Sequence, residues 1–152
     1  MAKRAHVYTI ARPIEELRAL LASPQAVGRA LAFVEATEES RGQLQWRLRP
    51  AMAAITGAQS LLVSFNATPD HVHWVGRSPR LLGRGDLRLT PAGPQATALA
   101  FTLEMAGVGA ASLVIEPLAG VQLQAQMDSF VDHLEAALER AAEKEVIGHD
   151  NR

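Results

Sequence analysis

The chain contains no cysteine. That excludes disulfides, thiolate catalysis and cysteine-based zinc sites, and leaves nothing to argue for an oxidising compartment. Long hydrophobic runs are missing too: every apolar stretch breaks well short of the ~18 residues needed to span a bilayer, so no integral membrane segment is expected. Neither sign of charge dominates, with 15 Lys and Arg against 16 Asp and Glu. Nucleic acid and acidic lipid favour strongly basic chains, so neither is expected as the main partner. Aromatic residues are scarce, and the richness in Ala, Leu and Arg reads as coding bias. The opening Met1-Ala2-Lys3-Arg4-Ala5-His6 is positive, but the apolar stretch after it ends at Arg12, too soon for a signal peptide. A cytoplasmic location is the default expectation.

What the sequence does have is length and periodicity. At 152 residues it fits a single domain, 1–152, able to hide roughly two-thirds of its unfolded surface. Residues 6–10 alternate around Val7, Tyr8 and Thr9 and predict a short strand. Pro13, Glu15 and Glu16 start a helix that carries Ile14, Leu17, Leu20 and Leu21 on one face and stops near Ser23. Ser23-Pro24 then starts a second short helix with Val27 and Leu31 inward. From Phe33 the period becomes two, predicting strands over residues 33–39, 43–49, 61–65, 71–75, 81–90 and 97–105. In the second of these, Leu44, Trp46 and Leu48 oppose Gln43, Gln45, Arg47 and Arg49. Residues 50–57 are ambiguous and read as a strand continuing past a bulge at Pro50. In the last strand Leu99, Phe101, Leu103 and Met105 share one face and Ala98, Ala100 and Thr102 the other. Alternation does not say which face turns inward, and small residues there would leave space beneath a covering element.

Residues 110–115 predict a helical segment, which Pro117 kinks or separates from a long helix over residues 121–143. In that helix Leu123, Met127, Phe130, Val131, Leu134 and Leu138 form an apolar stripe, with Gln124, Asp128, Asp132, Glu135 and Glu139 outside it. Burying such a side chain contributes about 1.5 to 3 kcal/mol. Residues 144–152 are polar and predict a frayed tail. The whole order predicts an α+β fold: a curved antiparallel sheet of about six to seven strands, two short helices after the first strand, and a long C-terminal helix covering the apolar face.

This order resembles the helix-grip fold of the START-like, Bet v 1-like SRPBCC superfamily, in particular its polyketide cyclase/dehydrase and carbon monoxide dehydrogenase-associated branches. The resemblance rests on Ile10-Ala11-Arg12-Pro13-Ile14-Glu15-Glu16-Leu17 leading to Leu21-Ala22-Ser23-Pro24, on Leu89-Thr90-Pro91-Ala92-Gly93-Pro94-Gln95-Ala96-Thr97, and on Val114-Ile115-Glu116-Pro117-Leu118 running into the long helix. It implies a cavity between sheet and helix for a lipid, polyketide, isoprenoid or other hydrophobic ligand. It does not by itself imply catalysis, because the superfamily has no shared catalytic motif.

The candidate ligand-binding wall is Trp46, Phe65, Trp74, Phe101, Met127 and Phe130. No catalytic set, metal site or cofactor is expected. His71 and His73 lie on one strand face, but a metal needs a third ligand and the strand period supplies none nearby, so the pair reads as an exposed face. His73 or Glu104 would be the proton carrier if the chain were a cyclase- or dehydrase-type enzyme. His133 borders the helical stripe. Gly83-Arg84-Gly85, with Arg80 and Arg88, lacks the strand, loop and helix context of a phosphate loop. The arginines at 41, 47, 49, 77, 80, 84 and 88 suggest a solvated outer sheet face, or the surface of an adaptor module. A homodimer is among the assemblies left open.

Overall fold

The computed structural model describes residues 2–150, the last six of these by backbone alone. In chain order the elements are β1 (Ala2–Ile10), α1 (Ile14–Leu21), α2 (Pro24–Ala30), β2 (Val34–Ser40), β3 (Gln43–Leu48), α3 (Pro50–Thr56), β4 (Ser60–Thr68), β5 (His71–Arg77), β6 (Leu81–Pro91), β7 (Thr97–Gly107) and α4 (Ser112–Asp150). β2 to β7 form an antiparallel meander, and β1 returns to pair with β7, giving the order β1-β7-β6-β5-β4-β3-β2. β1 runs beside β7 from Ala2↔Met105 to Ile10↔Thr97. α4 lies across one face of this curved sheet, which is the helix-grip arrangement.

Local chemistry explains the early elements. Glu15 and Glu16 occupy the first turn of α1, where the helix dipole favours negative charge, and Ile14, Leu17 and Leu21 turn into the core. Ser23 caps α2 by accepting from the Ala26 N–H at 3.2 Å, and Pro24 stands at the first helical position. In β3, Leu44, Trp46 and Leu48 are buried while the residues between them are exposed.

Three expectations are corrected. Residues 50–56 are a helix and not a bulged strand: Pro50 sits at the first turn, where its missing N–H costs nothing, and Gly57 closes α3 at φ 71° with its N–H bonded to the Ala53 carbonyl at 2.8 Å. Pro117 does not divide the C-terminal helix. The helix is continuous from Ser112, after a short 3-10 turn at Gly109–Ala111, so the segment read as separate forms its first turns. Pro117 lies early enough that the donor it removes would serve the Leu113 carbonyl, near the helix start. The first strand begins at Ala2, four residues earlier than its alternation suggests. The polar tail expected to fray is helical in its backbone to Asp150; its side chains beyond Lys144, and residues 151 and 152, lie outside the described part.

On β7, Leu99, Phe101, Leu103 and Met105 turn inward and are buried, whereas Ala98, Ala100 and Thr102 face away from α4. The large apolar row wins the buried side because its removal from water contributes far more. On the inner face, β5 carries Gly76, and β6 carries Gly83 and Gly85 at successive inward positions between Leu81 and Leu87. A Cβ on Gly85 would run into the Trp74 indole, so this glycine is the seat of that ring.

Candidate functional site

Five of the six residues expected to wall a cavity meet beneath α4. Trp46, Trp74, Phe101 and Phe130 form a linked aromatic set, with ring centroids 5.8 Å apart for Trp46 and Trp74, 6.3 Å for Trp74 and Phe101, 6.4 Å for Trp74 and Phe130, and 4.9 Å for Phe101 and Phe130. Met127, one helical turn before Phe130, is buried in the same core cluster. Phe65 pairs with Trp74 in the sheet register yet is only half-buried. It packs against the edge of the same core and borders a groove with Pro24, Leu44 and Val63.

The centre of this set is filled by its own rings, in contrast to the open cavity that the family resemblance implies. A groove of about 270 Å³ on the outer sheet face, lined by His73, Arg84, Asp86, Thr102 and Glu104, borders Trp74 from behind; on the inner side two small gaps lie beside the set. The first, of about 20 Å³, lies under α3 and the first turns of α4, lined by Met52, Ile55, Met105, Ile115, Leu123 and Gln126 among others. The second, of about 10 Å³, lies over β5 and β6 between Leu61, Trp74, Gly76, Gly83, Leu103 and Met105. Each has room for one water at most.

The first gap has one polar irregularity. Gln126 Oε1 is shielded from solvent and accepts no hydrogen bond, while the neighbouring Thr56 hydroxyl donates to the Met52 carbonyl at 2.9 Å. An acceptor kept from water without a donor costs free energy, and a donor-bearing guest would relieve it. Two of the residues lining this gap, Ile55 and Leu118, are also exposed, and Val108, Leu113, Val114 and Val121 are further exposed apolar residues at or near the start of α4. α3 carries no charged residue, and residues 105–123 contain one, Glu116.

Sequence reasoning missed Met52, Ile55, Thr56 and Gln126 as lining residues. For the first three the signal was present, because Pro50 and Gly57 bracket seven residues in the N-terminal Pro, C-terminal Gly asymmetry of a helix. Gln126 carries no such signal: its pattern is that of an ordinary polar flank, and only packing removes its oxygen from water.

The other candidates lie elsewhere. His71, His73, Arg84, Asp86, Arg88 and Glu104 project from the outer sheet face. There His71 Nε2–H donates to Asp86 Oδ2 at 2.6 Å, the two imidazole centroids are 5.2 Å apart, and Lys3 pairs with Glu104 at 3.5 Å. Among the described residues no three side chains form a metal-binding group. Arg47, also outward, pairs with Glu35 at 3.3 Å and Glu38 at 3.5 Å. Carboxylates are therefore interleaved with the arginines, as on an ordinary solvated sheet face. His133 Nδ1–H donates to the Ala30 carbonyl at 3.0 Å and ties α4 to α2. At the β1 edge, the Tyr8 hydroxyl donates to Asp128 Oδ1 at 2.7 Å and the Gln124 amide donates to the same oxygen at 3.0 Å. These two bonds hold the Asp128 carboxyl below its ordinary value. Burial, followed by the Asp128 bond and charge, pushes the Tyr8 phenol up.

No family model matches the sequence, nor does any curated protein. Solved structures do match in three dimensions. A conserved protein of Geobacillus kaustophilus is 14% identical, with 91% of this chain and 96% of that chain covered, at a TM-score of 0.72. A START superfamily protein of Mycobacterium smegmatis is also 14% identical, covering 93% and 99%, at 0.67. The Zhui aromatase/cyclase of Streptomyces sp. R1128 is 17% identical, covering 95% and 94%, at 0.63. At these identities the likeness is one of fold: the chain has the helix-grip fold of the START-like, Bet v 1-like SRPBCC superfamily. Among the described residues no helix is long and apolar enough to cross a membrane.

Proposed function

We propose that this chain is a binding or carrier protein for a hydrophobic small molecule of lipid, polyketide or isoprenoid type, held between the sheet and α4 and admitted between α3 and the first turns of α4. The observation that carries this reading is the gap beneath those turns: apolar side chains wall it, an unpartnered Gln126 oxygen borders it, and its Ile55 and Leu118 reach the surface. Ligand pockets usually enclose about 300 to 1,000 Å³. The guest therefore makes its room by displacing side chains, chiefly the flexible Met52 and Met105, whose unbranched thioethers repack at low cost.

A cyclase-type activity is the second reading, and the Streptomyces neighbour is its support. It is weaker because no histidine or carboxylate lines the gap beneath α3, and the two residues that sequence reasoning offered as proton carriers, His73 and Glu104, stand on the opposite face of the sheet. An adaptor role for the arginine side chains is weaker again, since their carboxylate neighbours leave no surface of one sign.

Native mass spectrometry of gently purified protein, followed by organic extraction, tests the carrier reading. A retained apolar compound in stoichiometric amount is the expected result. An empty protein that also fails to bind neutral apolar dyes would overturn it.

A further inference from the structure

One inward row of the sheet is partly bare. The cross-strand register reads Leu44, Val63, Gly76, Gly83, Met105 and Ala2 from β3 to β1, so two glycines stand side by side on β5 and β6 with Met105 next to them on β7. The vacancies are not equivalent. Leu61 covers Gly76, whose Cβ would come within 3.0 Å of that side chain, whereas a Cβ on Gly83 would meet nothing nearer than the Glu104 carbonyl oxygen at 4.0 Å. Gly83 thus floors open space, and this space is the second gap. Met105 lines both gaps.

From this geometry we propose that Met105 is a movable partition: its side chain separates the two gaps, and its rotation joins them into one channel that runs from the α3 and α4 surface to the bare glycine floor. This rests on the carrier reading above and specifies its ligand. Adjacent strands are about 4.8 Å apart, and because Leu61 already covers Gly76 the bare floor is the width of Gly83 alone, which fits one extended hydrocarbon chain, while Leu61 and Trp74 flank it and exclude a fused-ring skeleton. Arg84 and Glu104 border the second gap, but their side chains belong to the outer face by strand alternation, and Glu104 is held there by Lys3. The chain is therefore neutral along its length. Its head stops at Gln126, whose unpartnered oxygen a donor group on the ligand would satisfy. The ligand class is a linear alkyl or isoprenyl chain ending in a hydroxyl or amide N–H.

The test uses 1-dodecanol as the linear probe and 1-pyrenemethanol as the fused-ring one, with methyl-13C methionine NMR on the full chain, whose four methionines are few enough to resolve. Dodecanol is expected to shift the Met52 and Met105 methyl signals saturably. Gly83→Val, which fills the floor, is expected to weaken that binding about tenfold, the equivalent of two lost methylene contacts. Gly83→Ala fits without contact closer than ordinary packing and gives a smaller loss in the same direction, so a misfolded valine variant leaves the test intact. Met105→Ala is expected to tighten binding several-fold. Dodecanol binding that shifts Met52 and Met105 but ignores all three substitutions would overturn the partition and leave the carrier reading standing. Pyrenemethanol binding more tightly than dodecanol would overturn the linear-chain assignment. Binding of neither probe to any variant would remove the carrier reading and this inference together.

Discussion

Single residues decide how tightly the sheet's inner face closes. Gly85 makes room for Trp74, and in Gly85→Ala the added methyl has no space that the indole can vacate without disturbing Trp46, Phe101 and Phe130. Overpacking of this kind costs about 1 to 3 kcal/mol, and urea unfolding should register it as a lower midpoint at unchanged slope. Gly83→Ala, two residues away, should be close to neutral in the same measurement. Tyr8 and Asp128 make a second residue-scale prediction. Asp128, depressed by the Tyr8 and Gln124 bonds, stabilises the fold above the ordinary carboxylate value of about 3.9, and that contribution disappears as pH falls through its lower folded value. Tyr8, raised, stabilises below the ordinary phenol value of about 10, and its contribution disappears as pH climbs through its higher folded value. In Tyr8→Phe the Asp128 titration, followed by 13C carboxyl NMR, should move upward toward its ordinary midpoint, and the alkaline loss that belongs to Tyr8 should vanish. An unchanged Asp128 midpoint would show that the hydrogen bond does not set it.

At the scale of elements, the sequence was legible wherever one periodicity ruled. The alternation of Leu44, Trp46 and Leu48, or of Leu99, Phe101, Leu103 and Met105, specifies strands with one buried face, and the stripe from Leu123 to Leu138 specifies the covering helix. It was illegible where two local rules compete. Pro50 reads equally as a strand bulge or a helix start, and the helical reading prevails because Gly57 supplies the left-handed cap seven residues later. Pro117 reads as a helix breaker, yet Ile115, Ala119 and Leu123 are buried on the same side of one continuous helix, and that burial outweighs a missing bond near its start. The aromatic and Met127 part of the candidate site followed from the same periodicities. The gap beneath α3 did not, because it depends on how two elements distant in sequence fail to fill the space between them. Pro117→Ala restores a donor for the Leu113 carbonyl. Amide exchange over residues 113–121 is expected to slow relative to the parent chain, as a helix-interior proline costs about 3 kcal/mol. Equal exchange in both proteins would mean that this carbonyl is already satisfied.

For the molecule as a whole, α4 is what covers the apolar face of the sheet. A chain ending after Gly107 keeps all seven strands but uncovers Leu99, Phe101, Leu103 and Met105 along β7, with Trp74 and Trp46 behind them. Such a fragment is expected to aggregate or bind anilinonaphthalene dyes strongly, whereas the full chain stays monodisperse under the same light-scattering conditions; a soluble, dye-silent fragment would refute the covering role of α4. The pairing of β1 with β7 adds a constraint of another kind. β1 is made before all the other strands of this sheet yet pairs with β7, the last of them, and the helix that covers them both is made later still. Until β7 is made, β1 is therefore without its partner. In the finished sheet it is still an edge strand, and its exposed Lys3 and Arg4 are charges of the kind that discourage pairing between edges.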